Sequence, residues 1–269
     1  MFARAPFINS AAWSLAGRSI GIGGGFIVGI CLARVMTPRD LGAFFVLQTT
    51  VVFLATIARG GLQQPIVKAV AEAHSSQQFG RAGETLKWSI LIVLAIGSVL
   101  LPVLYVKGFD WLGKTLIGQK IPADVKIALC VWVGFLAVQT PMSEVLRGLS
   151  RIGSAVLADG ALATVAVAIY LGVVLFSTRS LGLGEAVTAF SLAVLVGVVW
   201  SAICLFSVRR MLIGDGKQSL IELLGMARST LLINIATLLF SSASIWICSA
   251  LLSNESTAMY GVGTRLASL

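Results

Sequence analysis

Charge is scarce in this chain. Only 12% of its 269 residues are Asp, Glu, Lys or Arg, against roughly 25% in a typical soluble domain, and the acidic residues number 11. Histidine occurs once, at His74, in a polar stretch after an apolar run where it reads as a solvated side chain. The cysteines are four, Cys31, Cys130, Cys204 and Cys248. Each sits in a separate apolar stretch without metal or redox spacing, so they read as small buried hydrophobes. No Ser/His/Asp set, paired carboxylates or metal-ligand cluster is visible, and the sequence implies no cofactor; catalysis has no constellation to stand on. The net charge of +9 raises nucleic acid as a partner. The basic residues are instead scattered through short polar segments with no run or stripe, which excludes that reading. No cleavable leader is evident in the sequence, because the first apolar stretch is too long and lacks a cleavage site.

What the chain has in abundance is apolar length. Hydrophobic residues make up 57% of it and the mean hydropathy is +0.96. Crossing a hydrocarbon core takes about 20 predominantly apolar residues. Seven stretches qualify: Asn9–Ala33, Leu41–Val70, Leu86–Val106, Val125–Leu146, Ala155–Ser177, Ala186–Val208 and Leu231–Leu252. An eighth begins before Leu269. In lipid the backbone must satisfy its own hydrogen bonds, so these stretches are helices. The fold class is therefore all-α, a polytopic transmembrane helix bundle. Lys and Arg in the loops are more numerous on the side that holds Arg4, Arg81, Arg147 and Arg228 than on the side that holds Arg39, Lys114 and Arg179. That bias predicts a cytoplasmic N-terminus in a multi-pass protein of the cytoplasmic (inner) membrane.

Thr37-Pro38-Arg39-Asp40 predicts a tight turn and a capped start to the second helix. That helix is unusually long and is interrupted by Gly60-Gly61 and Pro65. Residues 209–217, with Gly214-Asp215-Gly216, are the most linker-like in the chain, and Ser219–Ala227 reads as an interfacial segment. Residues 36–49 (MTPRDLGAFFVLQT) and 252–265 (LSNESTAMYGVGTR) form a faint repeat with an offset of 216 residues. The predicted organisation is a six-helix lobe over residues 1–213, a linker over 214–230, and the start of a second lobe over 231–269 that breaks off in an apolar helix, as in a truncated chain.

Helix one carries Gly17, Gly21, Gly25, Gly29 and Ala33 at four-residue spacing, a small-residue stripe suited to close helix packing. Arg18 lies in the same helix. An arginine at mid-span costs about 2.5–3.5 kcal/mol on insertion scales, so it faces protein or water. Arg59 is the second such case, with Gln48, Thr56 and Gln63 on nearly the same helical face and Gln64 just beyond. A polar stripe ending at a broken segment is the expected wall of a water-filled cavity. Arg265 is the equivalent position in the second lobe. Glu144 and Arg147 read as an i,i+3 ion pair, with Asp159 placed to pair with Arg147 or Arg151.

Residues 33–42 (ARVMTPRDLG), after a glycine-rich first helix, are similar to the opening of the polysaccharide (O-antigen type) flippases of the multidrug/oligosaccharidyl-lipid/polysaccharide exporter superfamily. Residues 145–151 (VLRGLSR) resemble that family's turn between helices four and five. Gly60-Gly61-Leu62-Gln63-Gln64 with Val67-Lys68 resembles the end of its second helix. The resemblance implies two MATE-like six-helix lobes around a cationic cavity through which an isoprenoid-diphosphate-linked oligosaccharide crosses the membrane for surface polysaccharide biosynthesis. Arg18, Arg59 and Arg265 would then meet the diphosphate, and Gln48, Gln63 and Gln64 the sugar hydroxyls. The partners implied are this lipid-linked substrate, the bilayer, and polysaccharide polymerase or other membrane proteins of the assembly pathway. Three alternatives stay open: a cation-coupled multidrug exporter, a membrane-embedded transferase, and a non-transporting membrane protein.

Overall fold

The computed structural model describes residues 4–177, 179–214, 216 and 218–267, with the side chains of residues 4–11, Arg18, Arg210, Met211 and 265–267 outside the description. The described residues hold helices and no strand. They form α1 (Arg4–Val35), α2 (Pro38–Ala58), α3 (Gln63–Ser75), α4 (Phe79–Ile117), α5 (Ala123–Gly148), α6 (Ile152–Phe176), α7 (Leu183–Ser207), α8 (Leu220–Leu251) and α9 (Asn254–Ala267). Among the described residues, seven helices are long and apolar enough to cross a membrane. The protein is an all-α, multi-pass membrane protein.

The chain runs up and down, so the turns gather at two ends. One end holds the α1–α2 turn at Thr37, the other the α5–α6 turn after Arg147. At the Thr37 end, Thr37 accepts a hydrogen bond from the Asp40 N–H at 3.2 Å and Pro38 opens α2. Pro at that position loses no helix bond and is preset to helical φ. The most enclosed helix is α2, packed against α4, α5, α7, α8 and α9. Its Phe44 ring stacks on Trp132 of α5 and tilts against Phe190 of α7, with centroids 6.2 and 4.8 Å away. Such aromatic pairs add about 0.5–1.5 kcal/mol beyond area burial.

The α1–α2 and α8–α9 hairpins share one register. Both α1 and α8 have 32 residues, and the start and end of α8 and the start of α9 lie 216 residues after those of α1 and α2. Ser253 takes the place of Thr37, accepting from the Ser256 N–H at 3.3 Å. The hairpins meet where α2 crosses α9. The ring of Phe45 lies against Gly261, and these two positions are equivalents under the offset. A position that meets its own equivalent marks a local pseudo-two-fold axis.

In four places the structure sharpens or departs from the sequence expectation. The interruption expected at Gly60-Gly61 divides the long second helix in two, because both glycines take positive φ (59° and 75°) and end α2. At Gly61 a side chain would strike the α8 backbone at Ala227 and Leu231. The basic segment after Val106 is helical to Ile117, through two π-helical turns at Leu104–Gly108 and Gly113–Ile117. It stops where Gly118 adopts φ 69°, and Lys126 ties it to α5 through Asp110 at 2.6 Å. The stretch read as interfacial is the first part of α8, started by the Ser219 cap. His74 is half-buried, its ring edge-on to Phe79 at 5.6 Å, rather than solvated.

Candidate functional site

Arg59 is the last residue of the α2 turn, and the helix end it caps lies inside the bundle. It is 9% exposed. Its Nε is buried without a hydrogen-bond acceptor. The acidic groups whose charge reaches it are Asp159 and Glu144. Both are already engaged with a second arginine. Arg147 donates to the two carboxylate oxygens of Glu144 at 2.7 Å each and to Asp159 at 2.8 Å. The cluster therefore holds two guanidinium groups and two carboxylates, with Arg147 forked between the acids. Planar forks of this kind are suited to carboxylate and phosphate oxygens.

A kink in α6 positions Asp159. The helix widens into a π turn at Leu157–Ala161, where Asp159 (φ −80°, ψ 26°) and Gly160 (φ 115°) leave helical geometry. Gly160 supplies the left-handed φ that other residues resist. The buried amide of Gln139, on α5, donates to the Ala158 carbonyl at this break. That bond satisfies a carbonyl the kink would otherwise strand.

Two cavities of about 440 Å³ each adjoin the kink and share Gly21, Gly160 and Thr164 in their walls. One is charged, with Arg147 and Asp159 beside Ser14 and Gly17. The other is mostly apolar and aromatic, with Gln48 among Trp132, Phe190 and Phe26. On α1, Gly17 and Gly24 lie against Val156 and Thr164 of α6, and Gly17, Gly21 and Gly25 line the cavities.

The predicted site residues do not form one polar stripe. Gln48 lines the apolar cavity on α2. Gln63 lies on α3, beyond the helix break, and accepts from Asn234 of α8 at 3.3 Å. Gln64 is exposed on the same helix. The double glycine between Ala58 and Gln63 changes the direction of the chain, so a helical wheel drawn through it no longer applies. Arg18 falls on α1 between Gly17 and Gly21, and Arg265 falls in the last turns of α9; their side chains lie outside the described residues. Sequence reasoning missed Asn234 and Gln139, isolated amides in apolar helices. Asp159-Gly160 carried a usable signal, a turn dipeptide within an apolar run.

The family model described as polysaccharide biosynthesis protein matches residues 7–269. The chain belongs to the polysaccharide biosynthesis protein family. Among solved structures, this polysaccharide biosynthesis protein is similar to an inward-facing conformation of a multidrug resistance MATE family transporter of the MOP superfamily, with TM-score 0.70 and 16% identity. The match covers 93% of this chain and 57% of that one, so the family member described here spans a little over half the length of its structural neighbour. The fold is MATE-like. No curated protein matches the chain.

Proposed function

We propose that this polysaccharide biosynthesis protein acts in a flippase that moves an isoprenoid-diphosphate-linked oligosaccharide across the cytoplasmic membrane. Its family and its MATE-like fold support a membrane exporter. The observation that carries the choice of cargo is the buried Arg59 with an Nε lacking an acceptor. A cation held in the membrane at a cost of about 2.5–3.5 kcal/mol is offset when an anion arrives. The diphosphate supplies that anion, and Arg59 supplies charge-assisted donors to it. Gln48, Gln63, Gln64, Arg18 and Arg265 are proposed as further contacts to glycan or diphosphate.

In this reading residues 1–213 are the first six-helix lobe and residues 231–269 begin the second, joined by 214–230. The Arg147 end faces the cytoplasm, with the N-terminus on that side. The partners are the lipid-linked substrate and membrane proteins of polysaccharide assembly, including a polymerase. The protein acts as a carrier and not as an enzyme. A cation-coupled drug exporter, the alternative, calls for a free buried acid. Glu144 and Asp159 are both bound to Arg147, which leaves the cluster better matched to an anion.

The test is binding to purified protein in nanodiscs. Undecaprenyl diphosphate is expected to bind at least about tenfold more weakly to Arg59→Ala, the loss of a charged hydrogen-bond donor. A lipophilic cation is expected not to compete. Equal affinity of wild type and Arg59→Ala for the diphosphate refutes the reading.

A further inference from the structure

An apolar groove of about 370 Å³ opens between α4 and α5, and its inner wall is Ala58. Ala58 directly precedes Arg59. The other walls include Leu94, Gly97 and Leu101 of α4, and Gly134 and Ala137 of α5. The groove exists because both facing helices lack side chains where they would meet. A Cβ on Gly97 would meet nothing within 4 Å, and one on Gly134 would meet only Leu101 Cδ1, at 3.8 Å. Just beyond, Pro102 removes a helix hydrogen bond and the π turn at Leu104–Gly108 follows, two features that bend a helix. Leu94 is exposed on the outer edge, so the groove opens sideways toward the surface that meets lipid.

The charge and the groove are adjacent but chemically opposite. At the α2–α3 break, Gly60 packs against the Ile92 and Ile96 side chains of α4, and Ala58, which walls the groove, is Arg59's neighbour along the chain. The groove extends along α4 from Val93 to Pro102, toward the Thr37 end and away from the Arg147 end. A lipid with its anionic head at Arg59 would therefore direct its tail toward the bilayer centre. We propose that this groove seats the first isoprene units of a polyprenyl diphosphate whose head pairs with Arg59. The proposal rests on Arg59 being the diphosphate site. It names the ligand class for a surface that would otherwise take ordinary acyl chains, and the discriminating element is the adjacent buried cation.

Tails transferred from lipid into a protein groove gain packing and no hydrophobic driving force, so the experiment reads position rather than affinity alone. Full-chain protein in phosphatidylethanolamine nanodiscs is illuminated with a polyprenyl diphosphate that carries a diazirine in its first isoprene units. Crosslinked peptides are then mapped by mass spectrometry. Labelling is expected on residues 93–102 and 133–138. It is expected to fall at least about tenfold in Arg59→Ala, where a charged hydrogen bond is lost. It should also fall in Gly97→Leu/Gly134→Leu, which fills the groove. Size-exclusion elution and melting verify the fold of the double variant, and Gly97→Leu alone replaces it if it does not fold.

Arg59-dependent labelling that maps elsewhere overturns the groove and leaves the Arg59 reading standing. Equal labelling of the groove by a diazirine polyprenol without the diphosphate overturns the proposal, since the groove then takes any apolar chain. Groove labelling by the diphosphate probe that is unchanged in Arg59→Ala removes the underlying reading, and the proposal with it.

Discussion

Replacing Glu144 by Gln tests the cluster at its most buried acid. The Glu144 side chain is 7% exposed and that of Arg147 36%. Removing one partner of a fully buried pair costs about 3–5 kcal/mol because the other charge is stranded. Here Arg147 is partly solvated and keeps Asp159 at 2.8 Å, so most of that penalty does not apply. What is lost is one of two charge-assisted bonds to Glu144 and one of the cluster's two negative charges, an effect of about 1–2 kcal/mol. For a chain of this size that lowers the melting temperature by about 2–8 °C. Asp159→Asn is the control. Its carboxylate is 42% exposed and takes a single bond, so its effect stays below about 1 kcal/mol. Both variants are melted in detergent, followed by intrinsic tryptophan fluorescence. Glu144→Gln should melt clearly below Asp159→Asn and retain polyprenyl diphosphate binding, since the cluster becomes more positive. An Asp159 variant as unstable as the Glu144 variant refutes the assignment of Glu144 as the buried anchor.

Three further outcomes follow from the geometry. Gly61→Ala should fold poorly, because it combines positive φ with a clash into the α8 backbone. Gly118→Ala has positive φ and open space, so it should lose only about 1–2 kcal/mol; the yields of folded protein compare the two. Gly42→Val places a side chain into the backbone carbonyl of Asn254 and should separate α2 from α9. The readout is proteolytic exposure of the α8–α9 turn, with unchanged digestion counting against the crossing. Gln139→Leu removes the donor to the Ala158 carbonyl at the α6 kink and leaves that carbonyl unsatisfied. It should lower stability by about 1–3 kcal/mol in the same melting assay.

The spans were legible because a long apolar run in lipid has few alternatives to helix. The Thr37-Pro38 start was legible because capping is local. The double glycine was equally visible in the sequence. That it ends α2 outright reflects α8, which approaches Gly61 from more than 160 residues away. The lysines after Val106 suggested a loop, yet α4 continues, since nothing before Gly118 breaks the helix and Asp110 anchors Lys126. For the site, the Glu144–Arg147 pair and a link from Asp159 to Arg147 followed from helical spacing and nearby charge. The turn of Gln63 toward Asn234 did not, because it joins positions 171 residues apart. The repeat covered 14 residues by sequence, while the paired hairpins keep its offset through the whole of α1 and α8.

The most direct measurement is translocation. The protein is reconstituted into liposomes with a fluorescent, diphosphate-linked oligosaccharide lipid, and dithionite quenches the label in the outer leaflet. Wild type is predicted to make essentially all of the label accessible, and Arg59→Ala to leave the inner-leaflet half protected at matched reconstitution. Inner-leaflet label that remains protected with wild type, or translocation by Arg59→Ala at the wild-type rate, contradicts the account.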